Sequence, residues 1–296
     1  MHKTIHISDV SLPARPRTGH KGTFGRVLVV AGSRGMSGAA FLSGSGALRT
    51  GAGLVTIAVP RCIQNVVAIG QPCVTTLALD DDDLGQVDVT ACVEVEGWIG
   101  DRDAIAVGPG LGTGAGVKEL VGRILSAANC PVLLDADALN VCAGTGLLSE
   151  VRDRVPCVVT PHPREFSRLT GLSATEILGR PVESALSFAR QTLTTVVLKG
   201  HNSVVTDGDR VYVNQTGNSG MGTGGSGDVL SGVIAALIAQ GLPVFDAAVV
   251  GTCLHGIAGD LCADRLSEEA LIASDLLASL GAAWKILRSG QARGAP

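Results

Sequence analysis

The sequence predicts an α/β fold, a three-layer α/β/α arrangement with a mostly parallel central sheet, in a single domain over residues 1–296. Three observations predict it. Short β-branched runs bounded by Gly, Pro or Asp recur through the first two thirds of the chain. Helix-like stretches lie between several of them, as parallel strands require. The runs are apolar on consecutive positions rather than alternate ones, the pattern of strands covered on both faces.

Val27–Val30 is the first run, and Gly38–Arg49 after it reads as a helix. Val55–Val59, Ala104–Val107, Val132–Leu134, Cys157–Val159 and Val196–Leu198 continue the series, with helices expected over Val117–Ala127 and Pro181–Thr192. Ser173 followed by Glu176 forms a capping-box pattern that starts another helix. Ser203–Thr206 and Arg210–Val213 flank Asp207, Gly208 and Asp209 and read as an antiparallel hairpin. After Asp228 the pattern is helical to about Leu287. Its most apolar part, Val229–Val250, is broken by Gln240, Gly241, Pro243 and Asp246, which makes it two buried helices rather than a membrane span. Asp80–Asp83 reads as a solvated acidic turn, with metal binding as the lesser reading. No repeat or long linker interrupts the chain, and residues 1–20 and 289–296 are expected to be flexible ends.

Composition narrows the function classes. Hydrophobic residues make up 46% and charged residues 17%, so the chain is globular rather than disordered. Aromatics are only 3%, which leaves Ala, Val, Leu and Ile to build the core. The 40 glycines, about twice the usual share, cluster in a few loops, which excludes collagen-like repeats and simple linkers. A net charge of −4 without a Lys/Arg cluster provides no field for nucleic acid. Eight cysteines without a Cys-x-x-Cys pair argue against zinc and fit a reduced, cytoplasmic setting. Near the N-terminus, Arg15, Pro16 and Arg17 stand where a signal peptide would need an apolar run, so neither export nor a membrane is expected.

Open parallel sheets bind ligands at the carboxyl ends of their strands. Here Val27–Val30 runs into Ala31–Ala40, Ala104–Val107 into Gly108–Gly112, and Val132–Leu134 into Asp135–Asn140. Cys157–Val159 leads to Thr160–Glu165, and Val196–Leu198 to Lys199–Ser203. Five such segments on one sheet edge make a site. The sharpest element is the glycine-rich run Asn218–Asp228, directly before a helix. Its glycines permit positive φ and close approach to a ligand, and a helix start presents unpaired N–H groups to anions. Asp228 at that entrance either caps the helix or acts as a base. Gly220, Gly222 and Gly225 formally match the dinucleotide fingerprint, as do Gly222, Gly224 and Gly227. Here, however, they follow a hairpin instead of opening a βαβ unit, and no Walker A sequence occurs.

Gly225, Ser226, Gly227 and Asp228 at a late helix start resemble the anion-hole and base signature of ribokinase-like kinases. The chain is more specifically similar to the ADP/ATP-dependent NAD(P)H-hydrate dehydratase family. Five stretches carry that resemblance, in order, across about residues 20–240: Lys21–Gly25 on to Ser33, Gly108–Gly112, Thr160–Phe166, Lys199–Gly200 and Asn218–Asp228. It implies a ribokinase-like fold and repair of hydrated NADH or NADPH by phosphoryl transfer from ADP or ATP, followed by loss of phosphate. Asp228 would be the base, with the amides of Gly225, Ser226 and Gly227 as the anion hole. Ala39, Ala40, Gly110, His162 and Asp228 would bind the hydrated nicotinamide nucleotide, and Lys199, Gly200, His201, Asn202, Ser203 and Gly227 the donor. Mg²⁺ would bridge the phosphates largely through water, with Glu165 supporting it indirectly where related kinases carry Asn-x-x-Glu.

Plain structural roles stay open for Glu165 and His162, and Asp135 and Asp137 either assist the site or start a helix. His255 is expected to have a local structural role. Arg164 stands where many relatives carry glycine, which bears on access or adds a phosphate contact. The epimerase domain often fused in the family is expected to be a separate protein here, and a homo-oligomer, possibly a tetramer, is implied. The rival readings are a hydroxyethylthiazole- or hydroxymethylpyrimidine-type kinase and a nucleotide-sensing binding module.

Overall fold

The computed structural model describes residues 2–148 and 154–290. Strands β1 (Lys3–Thr4), β2 (Arg26–Val30), β3 (Leu54–Pro60), β4 (Thr75–Leu79), β5 (Ala104–Val107), β6 (Val132–Leu134), β7 (Cys157–Val159), β8 (Thr195–Leu198), β9 (Val204–Thr206) and β10 (Arg210–Val213) form one sheet. Their order is β1-β10-β9-β8-β7-β6-β5-β2-β3-β4. Strands β4 to β8 along this order are all parallel, and β9 runs antiparallel to β8 and β10 as the expected hairpin. Each β-branched run of the sequence is a strand, within one residue at either end.

The helices are α1 (Ser37–Thr50), α2 (Arg61–Gly70), α3 (Cys92–Ile99), α4 (Ala115–Ala127), α5 (Asp137–Cys142), α6 (Pro163–Thr170), α7 (Ala174–Gly179), α8 (Pro181–Thr192), α9 (Ser226–Ala239), α10 (Val244–Leu266) and α11 (Ala273–Ser289). The continuous apolar strands serve two cores at once, because successive side chains leave opposite faces. Val27, Val29, Ala104, Ala106 and Leu133 join α1, α2, α9, α10 and α11, whereas Leu28, Val30, Ile105, Val107 and Leu134 join α3 to α8. Ser173 caps α7 by accepting from the Glu176 N–H, as the sequence pattern predicts.

Helix α9 lies between the sheet and the other helices of its layer, and 12 of its 14 residues are buried. It meets α1 through glycine: a Cβ at Gly232 would fall 1.9 Å from the Ser43 carbonyl oxygen, and one at Gly46 would fall 2.7 Å from that of Val229. Helix α10 is long and apolar enough to cross a bilayer, yet 78% of its most apolar stretch is buried inside the fold.

Several elements carry no clear sequence signal. β4 sits at the sheet edge and is half-covered, so Thr75 and Thr76 dilute its apolar pattern. The flexible end expected over residues 1–20 is pinned instead: Lys3–Thr4 pairs with β10, and Ile5 and Val10 are buried. Helix α11 continues to Ser289 and closes at Gly290, while Met1 and the remainder of the other expected flexible end, residues 291–296, lie outside the described residues. The acidic segment Asp80–Asp83 is a turn in which Asp82 accepts the N–H groups of Leu84 and Gln86. All eight cysteines are free and six are buried, as small apolar residues would be.

Candidate active site

Five adjacent parallel strands, β8-β7-β6-β5-β2, end on one edge of the sheet, and each runs into one of the segments singled out above. The start of α9 faces that edge. Gly225, the N-cap, has φ 92°, a conformation that side chains rarely adopt, and a Cβ there would meet Leu42 at 2.5 Å. No side chain caps this helix, and the Ser226 N–H reaches only the Thr223 carbonyl oxygen, at a long 3.4 Å, so this first turn keeps capacity for an anion.

Asp228 stands in this first turn, and among the described residues no hydrogen bond reaches its carboxylate. The capping alternative therefore loses its support. Burial, then the negative charge of Asp135, pushes its pKa up to about 7; Lys199 opposes the shift, and Asp137 and Glu165 add to it. A carboxyl group poised near neutrality suits proton acceptance.

Asp135 leaves β6 and is 1% exposed. It accepts from Lys199 Nζ at 2.8 Å and from Ser231 Oγ at 2.7 Å. Lys199 lies also 3.9 Å from Glu165 Oε2. Burial alone would lower the Lys199 pKa, but Asp135 and Glu165 outweigh it and the net shift is upward, so the ammonium stays charged. Asp137 also acts on Asp228 through its charge, but its hydrogen bond lies elsewhere: its carboxylate accepts the Gly112 N–H at 2.8 Å and begins α5, holding the glycine loop after β5. Between the two, Ala136 has φ 49°, a backbone conformation uncommon for alanine. The two readings left open for this pair thus divide, Asp135 joining the charged cluster and Asp137 the helix start.

His162 caps α6: its Nδ1 accepts from the N–H groups of Arg164 at 3.0 Å and Glu165 at 3.2 Å. A neutral ring then carries its proton on Nε2, which faces Glu165 Oε1 at 3.2 Å. Burial, then the nearby Lys199 charge, lowers the His162 pKa and favours that neutral form. Glu165 returns a bond by accepting the His162 N–H at 2.8 Å. The Arg164 side chain is exposed at this position.

A cavity of about 700 Å³ opens beside this cluster. Of the predicted donor residues, Lys199, Gly200, His201, Ser203 and Gly227 line it, whereas Asn202 is exposed and outside the lining. Lys199 is its one formally charged lining side chain among the described residues, and no carboxylate lines it. Such a wall suits an anion. Ser226 and Gly227 bring the α9 N-terminus to the cavity, and His162 forms part of its rim. Ala39 and Gly110 meet on the other flank, where a Cβ at Gly110 would fall 2.9 Å from that of Ala39. Ala39 and Ala40, expected to bind the hydrated nucleotide, are buried as whole residues at 5% and 0% exposure and lie outside the cavity lining.

Sequence reasoning missed several groups here. Asp260 accepts from the Gly217 N–H and from Asn218 Nδ2, fixing the glycine-rich loop to α10. Met221 fills the space that side chains at Gly217 and Gly259 would need. His255, for which only a local structural role was expected, lines the cavity; among the described residues its Nε2 lacks a hydrogen-bond partner, and burial lowers its pKa to about 4. For Ser231, its place one turn after Gly227 on the same helix was the available signal.

A sequence model of the NAD(P)H-hydrate dehydratase family matches residues 27–280. The chain is 42% identical over 267 residues to a bifunctional NAD(P)H-hydrate repair enzyme of Moorella thermoacetica, covering 90% of this chain and 50% of that one. It therefore spans about half the length of that relative and of a similar one from Thermofilum pendens. It is 39% identical over 269 residues to an ADP-dependent (S)-NAD(P)H-hydrate dehydratase of Neisseria meningitidis, covering 90% and 85% of the two chains. Among solved structures, a Bacillus subtilis ADP/ATP-dependent NAD(P)H-hydrate dehydratase co-crystallised with ATP and Mg²⁺ superposes with a TM-score of 0.82 at 32% identity, over 95% of this chain and 96% of that one.

Proposed function

The chain belongs to the NAD(P)H-hydrate dehydratase family, and from that premise we propose that it regenerates NADH or NADPH from the (S)-hydrate with ADP, or alternatively ATP, as phosphoryl donor. The observation that carries this reading is Asp228: a carboxylate that no hydrogen bond reaches among the described residues, poised near neutrality, in the first turn of a helix without a side-chain cap, beside an anion-receptive cavity.

Asp228 accepts the proton of the nicotinamide-ring hydroxyl as its oxygen attacks the terminal phosphorus of the donor. The bond from that phosphorus to its bridging oxygen breaks, and with ADP the leaving group is AMP. The Gly225, Ser226 and Gly227 amides and the Lys199 ammonium balance the negative charge of the phosphoryl group in transit. Phosphate then departs with the carbon–oxygen electron pair, the neighbouring ring carbon gives its proton to water, and the double bond is restored. Phosphorylation replaces hydroxide by a better leaving group.

Mg²⁺ bound to the donor phosphates would neutralise part of their charge. Among the described residues no three His, Cys, Asp or Glu side chains converge as a metal site, and Glu165 is engaged by His162. The residues present fit an ion held by phosphate and water, with Glu165 outside its direct ligands. An epimerase activity would supply the (S)-epimer, and a cytoplasmic homo-oligomer, in the family's manner a tetramer, completes the proposal.

The test is absorbance in the reduced-nicotinamide band after mixing protein, Mg²⁺ and hydrated NADH with ADP or ATP. Nucleotide-dependent recovery with release of phosphate is expected. A stable phosphorylated product without recovery would instead indicate a small-molecule kinase.

A further inference from the structure

Asp135 has a position that a surface ion pair does not. It is almost fully buried, and its two oxygens are divided between donors from separate elements: Lys199 at the end of β8 on Oδ1 and Ser231 in α9 on Oδ2. Ser231 Oγ lies also 3.2 Å from the Gly227 carbonyl oxygen, so the link reaches back into the first turn of α9. One carboxylate thereby ties the ends of β6 and β8 to the helix start that carries Asp228. The fit at that point is close, since a Cβ at Gly227 would lie 3.2 Å from Lys199 Nζ and 3.8 Å from Asp135 Oδ2.

An ammonium on a four-carbon stem is flexible and strongly hydrated, and its value in catalysis depends on being held in place before the charge it meets develops. We propose that Asp135, assisted by Ser231, is a positioning residue that holds the Lys199 ammonium against the first turn of α9, where it meets the phosphoryl group in transit. The backbone supports the role. Ala136 adopts φ 49°, and with this bend Asp135 is directed to Lys199 while Asp137 reaches the Gly112 N–H. The inference rests on the dehydratase reading, because it assigns Lys199 to that reaction's phosphoryl group.

The same geometry has a second readout. The charged groups facing Asp228 are Asp135, Lys199, Asp137 and Glu165, drawn from the ends of β6, β7 and β8. Removing the Asp135 charge takes away a neighbour that opposes ionisation of Asp228 and releases Lys199 toward it. Both effects move the acid limb of activity to lower pH.

The experiment is steady-state kinetics on hydrated NADH with ADP and Mg²⁺ for wild type, Asp135→Asn and Ser231→Ala. For Asp135→Asn, kcat is expected to fall about 100-fold with both KM values within about threefold, and the acid limb to move down by about half a pH unit or more. Ser231→Ala is expected to lose about tenfold in kcat with its acid limb close to that of wild type. A loss confined to KM, an unchanged kcat, or a lower kcat with an unmoved limb in Asp135→Asn would overturn the proposal. Should Asp135→Asn not fold, Ser231→Ala decides, and wild-type kcat in it rejects the clamp. Wild type active with both variants unimpaired sinks this inference alone; wild type without ADP-dependent recovery sinks the dehydratase reading and this inference with it.

Discussion

Asp228 carries a carboxylate into the first turn of a helix buried along most of its length, facing three further carboxylates and one lysine. Its ionised form is disfavoured there, which is the condition that makes it a competent base near neutral pH. Asp228→Asn is expected to lower kcat by about 10²–10⁴-fold, with ADP affinity by calorimetry within about threefold of wild type. In the wild type, kcat/KM should rise with pH through an acid limb near pH 7, the value to which the Asp228 carboxyl is raised. Full activity in the variant would exclude Asp228 as the base. Asp228 was legible in the sequence because a glycine-rich run before a helix is a local pattern. Asp135 was only half legible: its partners Lys199 and Ser231 are 64 and 96 residues away, and no local spacing connects them.

At the scale of elements, the position of Asp228 depends on how closely α9 approaches α1. Gly46 and Gly232 bring the helices near backbone contact, and the α1 residue Leu42 closes over Gly225. Gly232→Ala places a methyl group 1.9 Å from the Ser43 carbonyl oxygen, so the helices must separate. The expected cost is about 1–3 kcal/mol of unfolding free energy, read by denaturant titration, and a fall in kcat larger than the change in KM. Unchanged stability would show that the interface relaxes freely. The sequence placed both helices but not their closeness, since 40 glycines offer many sites at which two helices could meet.

For the whole molecule, the buried His255 and the half-buried Asp228 oppose each other in acid. His255 has a folded pKa of about 4, below its ordinary 6.5, so its contribution is intact above pH 6.5 and lost as pH falls toward 4. Asp228 has a folded pKa of about 7, above its ordinary 3.8, so its penalty is present above pH 7 and relieved as pH falls toward 3.8. At about 1.4 kcal/mol per pH unit the two contributions are of similar size and offset each other in the wild type. Asp228→Asn removes one of them. That variant is expected to be more stable than wild type at pH 8, and to lose roughly 3 kcal/mol more than wild type between pH 6.5 and 4 in chemical denaturation. Parallel stability profiles for the two proteins would contradict this account.

The sequence by itself determined the parallel sheet, the edge on which the site stands and the glycine-rich start of α9, because consecutive apolar positions, strand-end residues and positive-φ requirements are properties of neighbouring residues. The edge strand β4, the pinned N-terminal segment, the Asp135–Lys199–Ser231 link and the place of His255 in the cavity wall were decided only by the tertiary structure. Each depends on which strands and helices become neighbours. The burial and charge that give these side chains their chemistry exist only after distant segments have packed together.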